Sequence, residues 1–385
     1  MTAPIIGIDL GTTYTSVSVV TGKKVVTLAR DDGPRLIPSV IAFPSRDEVI
    51  IGEPARARLA TDPARTVASP KRVLGRPFDD REVQTYLAQA PWKSTRGPDG
   101  TAIIEIWRQP YAVPQLCAFL LREAREIAEL RLEQPISQAV ISIPVTFDDA
   151  RIAATTRAAQ LAGLEVAATI AEPTAAALAN RYVPGFGGII GIYDFGGGTF
   201  DFSLVDVSRA TFEVLATAGD TWLGGDDLDQ VLADAAANQF WRQHKVDLRK
   251  QAVEWQRLRF ACEAAKRLLS TEESALIAVP EVMRTATGMV DLELQIDRAT
   301  LARAAGALIQ RSLAVCDSAL ARAGLRAEQL SAVYLCGGTT HVPAIRDAVG
   351  QHFGVPLRVG VAPDQAVSLG AAIHGSLLAA GRAVV

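Results

Sequence analysis

The chain has 385 residues, of which 49% are hydrophobic, and its 39 basic and 42 acidic residues leave a net charge of −3. This length and apolar content predict two or more hydrophobic cores and exclude a disordered protein. The charge balance gives no sequence-independent attraction to nucleic acid or to an anionic membrane, so neither is expected as a partner. No secretory leader or apolar run of membrane length is recognisable, so we expect a cytoplasmic location.

The first predicted elements are strands. Residues 5–10 and 15–20 are apolar or alternate on either side of Gly11-Thr12-Thr13, which predicts a hairpin, and 25–28 and 39–43 are expected to extend its sheet. Repeated prolines predict loops and short helices over 44–80. Helices and strands then alternate, which indicates an α/β lobe: helix 114–132, strand 138–144, helix 149–162 and strand 166–170.

Glu172-Pro173-Thr174 opens an alanine-rich helix. Proline disfavours the α region for Glu172 and suits the first helical turn, so the carboxylate is expected at a strand–helix junction, a common position for a functional side chain. A cluster of Pro and Gly at 181–188 is the predicted boundary between the lobes. The elements expected beyond it are strands 200–207 and 211–217, helices 227–244 and 253–269, a β region at 274–296, helix 298–323, strand 332–336 and helix 364–380.

One motif occurs twice. Gly7-Ile8-Asp9-Leu10-Gly11-Thr12-Thr13 returns in altered form as Tyr193-Asp194-Phe195-Gly196-Gly197-Gly198-Thr199, each after an apolar run. Glycine turns bring backbone N–H groups close to an anion, and threonine hydroxyls add donors, so the pattern predicts phosphate binding. The two aspartates fit a bound Mg²⁺, which binds through one or two carboxylates, waters and phosphate oxygens. The repeat therefore predicts two related lobes with a cleft between them.

Each of these signals also has a simpler explanation. A single aspartate before a glycine turn is more often an Asx-turn residue. Glu263, Lys266, Arg267 and Ser270 share one helical face, which is typical of a solvated stripe of ion pairs. Lys71 alone is expected to be an exposed charge, and so are His341 and Asp364. The four cysteines lie far apart without CxxC spacing and are expected to be buried free thiols: Cys117, Cys262, Cys316 and Cys336.

The motifs together resemble the nucleotide-binding domain of the DnaK-type seventy-kilodalton heat-shock chaperones, within the actin-like superfamily. The resemblance runs from Ile5 to about Ala380 through these segments: GIDLGTT at 7–13, PKRVLGR at 70–76, AVISIPVTFDDA at 139–150, AGLEV at 162–166, EPTAAAL at 172–178, YDFGGGTFD at 193–201, GDTWLGGDD at 219–227, CEAAKRLLS at 262–270 and LCGGTTHVP at 335–343. It implies an α/β actin-like ATPase fold. Lobe I (1–187, with 363–385 returning to it) and lobe II (188–362) would each carry a mixed-sheet, RNase H-like core and an inserted subdomain around a nucleotide cleft.

The resemblance implies roles for individual residues. Lys71, Glu172, Asp201 and Thr199 would be catalytic, with Lys71 near the γ-phosphate and Glu172 and Asp201 positioning water. Asp9 and Asp194 would organise hydrated Mg²⁺ and potassium. Glu263 and Lys266 would bind ribose, Arg267 would pack along adenine and Ser270 would bond the base edge. The remaining implied contacts to ATP or ADP are Gly11, Thr12, Thr13, Tyr14, Gly196, Gly197, Gly198, Gly224, Gly225, Gly337, Gly338, Thr339, His341 and Asp364.

Several positions depart from the family pattern. Family members carry arginine on the adenine face where His341 stands, which predicts a weaker sandwich around the base. Arginines used for interdomain signalling and J-domain docking are replaced by Ile152 and Ala168, although Arg151 is adjacent. The sequence ends at Val385 without a peptide-binding domain, as either a truncated form or a short protein would, and Val384-Val385 could begin a linker.

We therefore expect a slow ATPase that acts as a nucleotide-dependent switch. Its partners would be a substrate-binding domain or protein in trans and a nucleotide-exchange factor. The alternatives are a nucleotide-binding scaffold without hydrolysis, a small-molecule kinase of the same fold, and an actin-like filament protein. The kinase needs a carboxylate base aimed at a substrate hydroxyl, and Lys71 in the cleft argues against it.

Overall fold

The structure is a computed structural model that describes residues 4–31, 33–208, 211–285 and 288–382. The predicted linker start at Val384-Val385 lies outside these residues. The chain forms two compact units. Unit 1 comprises Met1–Gly187, Val205–Val214 and Gly360–Val385, and unit 2 comprises Gly188–Leu204 and Leu215–Val359. Among the described residues, no helix combines the length and apolar character needed to cross a membrane.

The described residues contain ten α-helices and nineteen strands. The helices are α1 Glu53–Thr61, α2 Arg81–Gln89, α3 Val113–Leu132, α4 Asp149–Leu161, α5 Glu172–Asn180, α6 Gly225–His244, α7 Ala252–Leu268, α8 Arg298–Ala323, α9 Pro343–Phe353 and α10 Ala366–Ala379. The strands are β1 Ile6–Leu10, β2 Tyr14–Thr21, β3 Lys24–Thr27, β4 Ile37–Pro38, β5 Val40–Ala42, β6 Ile50–Ile51, β7 Thr66–Ala68, β8 Lys93–Arg96, β9 Ala102–Ile106, β10 Gln109–Ala112, β11 Gln138–Ile143, β12 Glu165–Ala171, β13 Ile189–Phe195, β14 Phe200–Asp206, β15 Glu213–Asp220, β16 Ser274–Thr285, β17 Gly288–Asp297, β18 Ala332–Cys336 and β19 Leu357–Arg358.

Unit 1 is built on a mixed sheet in the order β12-β11-β1-β2-β3, with β4 beside β2. Strand β1 pairs parallel with β11 and antiparallel with β2, so the predicted hairpin around Gly11-Thr12-Thr13 is confirmed. The expectation that 39–43 extends this sheet is wrong. Strand β5 instead pairs with β6 and β7 in a separate three-stranded sheet, because its partners come from the proline-rich segment after it.

Helix α10 packs on the unit 1 sheet at very short range. A Cβ added to Gly7 would lie 2.0 Å from the Ala372 nitrogen, and one added to Gly370 would lie 1.8 Å from the Ala175 oxygen. The Ser18 and Ser368 hydroxyls are 2.9 Å apart across the same contact. Small residues on α10, α5 and β1 therefore allow backbones to approach where larger side chains would force them apart.

Unit 2 repeats this plan. Its sheet has the order β15-β14-β13-β18-β19, in which β13, β18 and β19 run parallel. Taken in chain order, the five strands occupy the same places in the two sheets. In both units the long insertion follows the third of these strands in the chain, which is β3 in unit 1 and β15 in unit 2. The insertion in unit 2 carries α6, α7 and the β16–β17 hairpin. Two mixed α/β units with the same strand order agree with the actin-like fold class that the sequence predicts.

The unit 2 core is rich in aromatic rings. Tyr193, Phe195 and Phe200 pack with ring centroids 4.7–6.0 Å apart, and the Tyr193 hydroxyl lies 2.7 Å from that of Ser312 on α8. Helix α8 begins where the Asp297 carboxylate accepts from the Thr300 N–H, and it ends at Gly324 with a left-handed φ of 65°. The predicted span of α8, 298–323, is confirmed. It can be predicted because the residues that end the helix act locally.

Candidate functional site

The first glycine turn, in unit 1, joins β1 to β2. A Cβ at Gly11 would lie 2.0 Å from the Tyr14 oxygen, so the turn requires glycine. Ser39 fixes it from outside, since its N–H donates to Thr13 O and its hydroxyl donates to Gly11 O, both at 2.8 Å. The Thr13 hydroxyl is buried and has no hydrogen-bond partner among the described residues. Together with Thr12, this turn offers an unused donor to a ligand.

Asp9 is the penultimate residue of β1, and its carboxylate is held by a residue that sequence reasoning missed. Parallel pairing of Ile8 with Ile141 brings β11 alongside, and the buried Ser142 hydroxyl donates to Asp9 Oδ1 at 2.9 Å. Burial, and next the charge of Glu172, raise the pKa of Asp9 to about 6, against the opposing effects of Lys71 and Ser142. The only available signal for Ser142 was a hydroxyl inside an otherwise apolar strand.

The expectation that Lys71, considered alone, is an exposed charge is wrong. It lies on a short 3₁₀ helix, Pro70–Val73, and its ammonium donates to Glu172 Oε1 at 2.8 Å. The two side chains are only 8% and 16% exposed. Helix α5 begins at Glu172 itself, one residue earlier than proline's restriction on the preceding residue predicts. Unit 1 therefore brings Asp9, Lys71 and Glu172 into one electrostatic cluster.

Phe147 adjoins this cluster. The Lys71 ammonium lies 5.6 Å from its ring centroid, and the Arg151 guanidinium lies 3.7 Å from it. Arg151 also donates to Leu74 O at 3.4 Å, and burial lowers its pKa to about 10. Arg151 thus packs beside the lysine-bearing segment, whereas Ile152 and Ala168 carry no charge.

Three glycine turns meet within unit 2. The Gly196 carbonyl accepts from the Gly225 N–H at 3.0 Å and from the Thr339 hydroxyl at 2.9 Å. The Asp226 N–H donates to Gly197 O at 2.7 Å. The predicted phosphate-binding segments 196–198, 224–225 and 337–339 are therefore in direct contact, although they are far apart in sequence.

Close backbone packing explains why these positions are glycine. A Cβ at Gly224 would lie 2.1 Å from Gly197 O, and one at Gly337, where φ is +78°, would lie 2.3 Å from Phe195 O. The Cβ added at Gly337 would also lie 2.7 Å from Asp194 Oδ1. Asp194, the second predicted metal ligand, therefore lies beside the turn at 337–339. Gly338 is different, because a Cβ there would meet no atom within 4 Å.

Thr199 and Asp201 follow the second turn. The Thr199 carbonyl accepts from the Gly196 N–H at 3.0 Å and closes that turn. The Asp201 carboxylate fills the space that a side chain at Gly219 would need, because a Cβ there would lie 2.2 Å from Asp201 Oδ1. Both residues therefore lie at the end of the sheet where β13 delivers Asp194.

The predicted polar face of α7 is not a uniform solvated stripe. Lys266 is buried, and its ammonium donates to Asp229 Oδ2 and to Gly225 O, each at 2.8 Å. Arg267 is 61% exposed and forms a longer contact, 3.7 Å, with Glu263. Ser270 follows the end of the helix, with its N–H bonded to Arg267 O at 3.2 Å. The solvated-stripe explanation is thus wrong for Lys266, whose partners lie on α6.

His341 ends a 3₁₀ helix that starts at Gly338. Arg346 Nη2 lies 3.1 Å from His341 Nδ1, and Arg346 Nε donates to Thr340 O at 2.7 Å. Because a guanidinium can only donate, His341 Nδ1 is the acceptor and the neutral ring carries its proton on Nε2. Asp364, in unit 1, lies in the turn that precedes α10.

The carboxylate of Asp9 is compatible with a hydrated magnesium ion. No group of three or more His, Cys, Asp or Glu side chains in the described part of the chain is arranged to hold a metal. Mg²⁺ keeps most of its waters and uses one or two carboxylates, so a single partly buried aspartate such as Asp9 suffices as an anchor. The raised pKa of Asp9 also indicates a carboxylate that a cation would stabilise.

The four cysteines are buried free thiols, as expected. Burial raises the pKa of Cys117 and of Cys262 to about 12, and it raises the pKa values of the other two thiols as well. They are therefore inert packing residues rather than nucleophiles.

Comparisons with known proteins agree with this architecture. A family model described as Hsp70 protein matches residues 5–385. The chain is 40% identical over 374 residues to the mitochondrial heat shock 70 kDa protein of Pisum sativum, covering 97% of this chain and 55% of that protein. It is 39% identical over 374 residues to the protein of the same name from Solanum tuberosum, with the same coverage. The chain thus spans about half the length of the curated relatives that it matches, and it belongs to the Hsp70 family.

Proposed function

We propose that this chain is an ATP-binding domain that hydrolyses ATP slowly, as a chaperone ATPase of the Hsp70 family. The observation that carries the proposal is the buried Lys71–Glu172 pair beside the Asp9 carboxylate in unit 1. Buried charges are costly unless they are paired, and a cationic group placed beside a carboxylate of raised pKa is typical of a functional site. Membership of the Hsp70 family supports the same activity.

The residues of unit 1 can orient water and phosphate. Glu172 fixes the Lys71 ammonium at 2.8 Å, which leaves two ammonium protons for a phosphate oxygen or an attacking water. The unpartnered Thr13 hydroxyl can donate to a phosphate oxygen. Asp9 would anchor a hydrated Mg²⁺, which would neutralise charge on the phosphates when bound. Catalysis would then come from positioning and electrostatics.

The residues of unit 2 supply further contacts. The turns at 196–198 and 337–339 would present backbone N–H groups to phosphate. The turn at 224–225 would support them, since its two N–H groups already donate to Asp227 Oδ2 and Gly196 O. Two protons of the Lys266 ammonium are used by Asp229 and Gly225, and the third can reach a ribose hydroxyl together with Glu263. In the same proposal, Arg267, Ser270 and His341 contact the base, and Thr199 and Asp201 assist at the γ-phosphate.

The wider role is also a proposal. We infer that nucleotide state switches the conformation of the chain and that it works with a substrate-binding domain or protein and an exchange factor. Potassium binding and a cytoplasmic location stay predictions, and the two relatives named above are mitochondrial by name.

Equilibrium titration with Mg·ATP and Mg·ADP, with and without chelator, tests the proposal. Wild type should bind both nucleotides in a magnesium-dependent way. Asp9→Asn should lose the magnesium dependence, because it removes the proposed anchor. Asp79→Asn removes an exposed carboxylate of unit 1 that pairs with Arg96, and it should bind like wild type. If wild type shows no nucleotide binding, or if Asp9→Asn keeps the full magnesium effect, the proposal is wrong.

A further inference from the structure

Asp229 and Lys266 form a buried ion pair that the sequence pattern does not suggest. Their side chains are 6% and 10% exposed, and the Asp229 Oδ2–Lys266 Nζ distance is 2.8 Å. The same ammonium donates to Gly225 O at 2.8 Å, and Gly225 N–H in turn donates to Gly196 O at 3.0 Å. One side chain from α7 is therefore tied to the glycine turns through α6.

This carboxylate is poorly suited to a purely stabilising role. Asp229 Oδ1 is buried and accepts no hydrogen bond from the residues that the structure describes. Burial raises the pKa of Asp229 to about 6, with smaller contributions in the same direction from Asp226 and Glu263, and Lys266 opposes the shift. Because the folded pKa lies above that of a free carboxyl, the contribution of this group to stability falls as pH rises towards neutrality. The buried Lys266 ammonium nevertheless needs this carboxylate as its counter-charge, because a buried charge left unpaired is costly.

The glycine at 225 is needed to make room for this arrangement. A Cβ at Gly225 would lie 2.9 Å from Lys266 Nζ and 2.5 Å from the Thr339 hydroxyl. The Lys266 ammonium thus lies beside Gly225, the first residue of α6, where the turns at 196–198 and 337–339 meet that helix. Any displacement of Lys266 would remove the hydrogen bond that its ammonium donates to the Gly225 carbonyl and so disturb the contact between Gly225 and Gly196.

We infer that Asp229 is a positioning residue, which holds the Lys266 ammonium against the Gly225 carbonyl and so sets both the turn geometry and the contact of Lys266 with the nucleotide sugar. The part that concerns the nucleotide rests on the proposed function. Asp229 itself touches no ligand in this account and acts through Lys266.

The test uses Asp229→Asn, which keeps the shape and one oxygen acceptor but removes the charge. Asp234→Asn is the matched control, since Asp234 is on the same helix, is 41% exposed and pairs with Arg249. Three quantities are measured for each 385-residue chain: the midpoint of thermal unfolding, the Kd of Mg·ATP and the exchange rate of the Gly225 amide. Lys266→Met and the double variant Asp229→Asn/Lys266→Met complete a cycle.

We expect Asp229→Asn to unfold at a lower temperature than wild type, because the buried Lys266 ammonium loses its counter-charge, to bind Mg·ATP about tenfold or more weakly and to exchange the Gly225 amide faster. The double variant should bind no worse than Lys266→Met. The double variant should also regain the unfolding temperature that Asp229→Asn loses, because it removes the unpaired ammonium. If the double variant binds more weakly than Lys266→Met, Asp229 does not act through Lys266 and the inference is overturned, as it is by an unchanged affinity of Asp229→Asn. If wild type does not bind ATP, the proposed function fails, and the Gly225 amide decides alone: faster exchange supports the positioning role and unchanged exchange overturns it.

Discussion

Ser142→Ala is the most direct perturbation of the unit 1 cluster. The variant removes the only hydroxyl seen to donate to Asp9 within the described chain, at 2.9 Å, without changing any charge. A hydrogen bond to a charged group contributes about 1.5–3 kcal/mol, which corresponds to about 1–2 pKa units. The pKa of Asp9, which burial already raises to about 6, should therefore rise further.

The consequence is a shift in the pH dependence of magnesium-supported nucleotide binding. At pH 7 a smaller fraction of Asp9 should be ionised in Ser142→Ala than in wild type, because the hydroxyl that stabilises the carboxylate is lost. Mg·ATP affinity should fall in proportion, by about two- to tenfold, and should recover at pH 9, where both proteins are ionised at this site. Ser142→Thr keeps the hydroxyl and should titrate like wild type.

The assay is Mg·ATP titration between pH 5 and 9 for the three proteins, with the Asp9 carboxyl followed by carbon NMR. The pH dependence of the free energy of unfolding is a second, independent measure of the Asp9 pKa. Because the folded pKa of Asp9 exceeds the unfolded value, its ionisation makes folding less favourable as pH rises through about 6, and the variant should move this window upward. An unchanged titration midpoint in Ser142→Ala would refute the reasoning.

Three further predictions follow from the site geometry. Lys71→Ala should leave nucleotide binding largely intact and slow hydrolysis by about 100-fold or more, as measured by single-turnover kinetics. Loss of both binding and hydrolysis would mean that the role of Lys71 is misassigned. Because Lys71→Ala leaves Glu172 buried without a partner, the double variant Lys71→Met/Glu172→Gln is the control. Gly224→Ala should destabilise unit 2 by about 1–3 kcal/mol in denaturant titrations because its Cβ meets Gly197 O at 2.1 Å, while Gly338→Ala, with open space around it, should not; equal effects would contradict the packing account. The native protein at pH 8 should not react with a thiol reagent until it unfolds, and rapid labelling of any of its four cysteines would show that the thiol is not buried as described.

Local signals were sufficient for much of the fold. The spans of α3 and α8 follow from apolar periodicity and from end signals such as Asp297 and Gly324, which act within a few residues. The two strand–glycine turns could also be found from sequence, because Asp9 and Asp194 sit at the same point of equivalent strands. Pairing between segments that are distant in sequence could not be found in this way, which is why the sheet predicted for β5 is wrong.

The same distinction applies to the site. Lys71 and Lys266 have no sequence feature that shows their burial, because their partners Glu172 and Asp229 lie 101 and 37 residues away. Ser142 reaches Asp9 only because two parallel strands pair in one register. Residue type and spacing indicate which chemistry is available, but the partner that sets each charge is determined by tertiary structure.

The measurement that tests the central claim most directly is single-turnover hydrolysis of ATP by the 385-residue chain in Mg²⁺ and K⁺, with bound nucleotide quantified in the same samples. The account predicts binding followed by slow conversion to ADP and phosphate. Binding without conversion would contradict the ATPase claim and favour a nucleotide-stabilised scaffold. Absence of binding would contradict the account altogether.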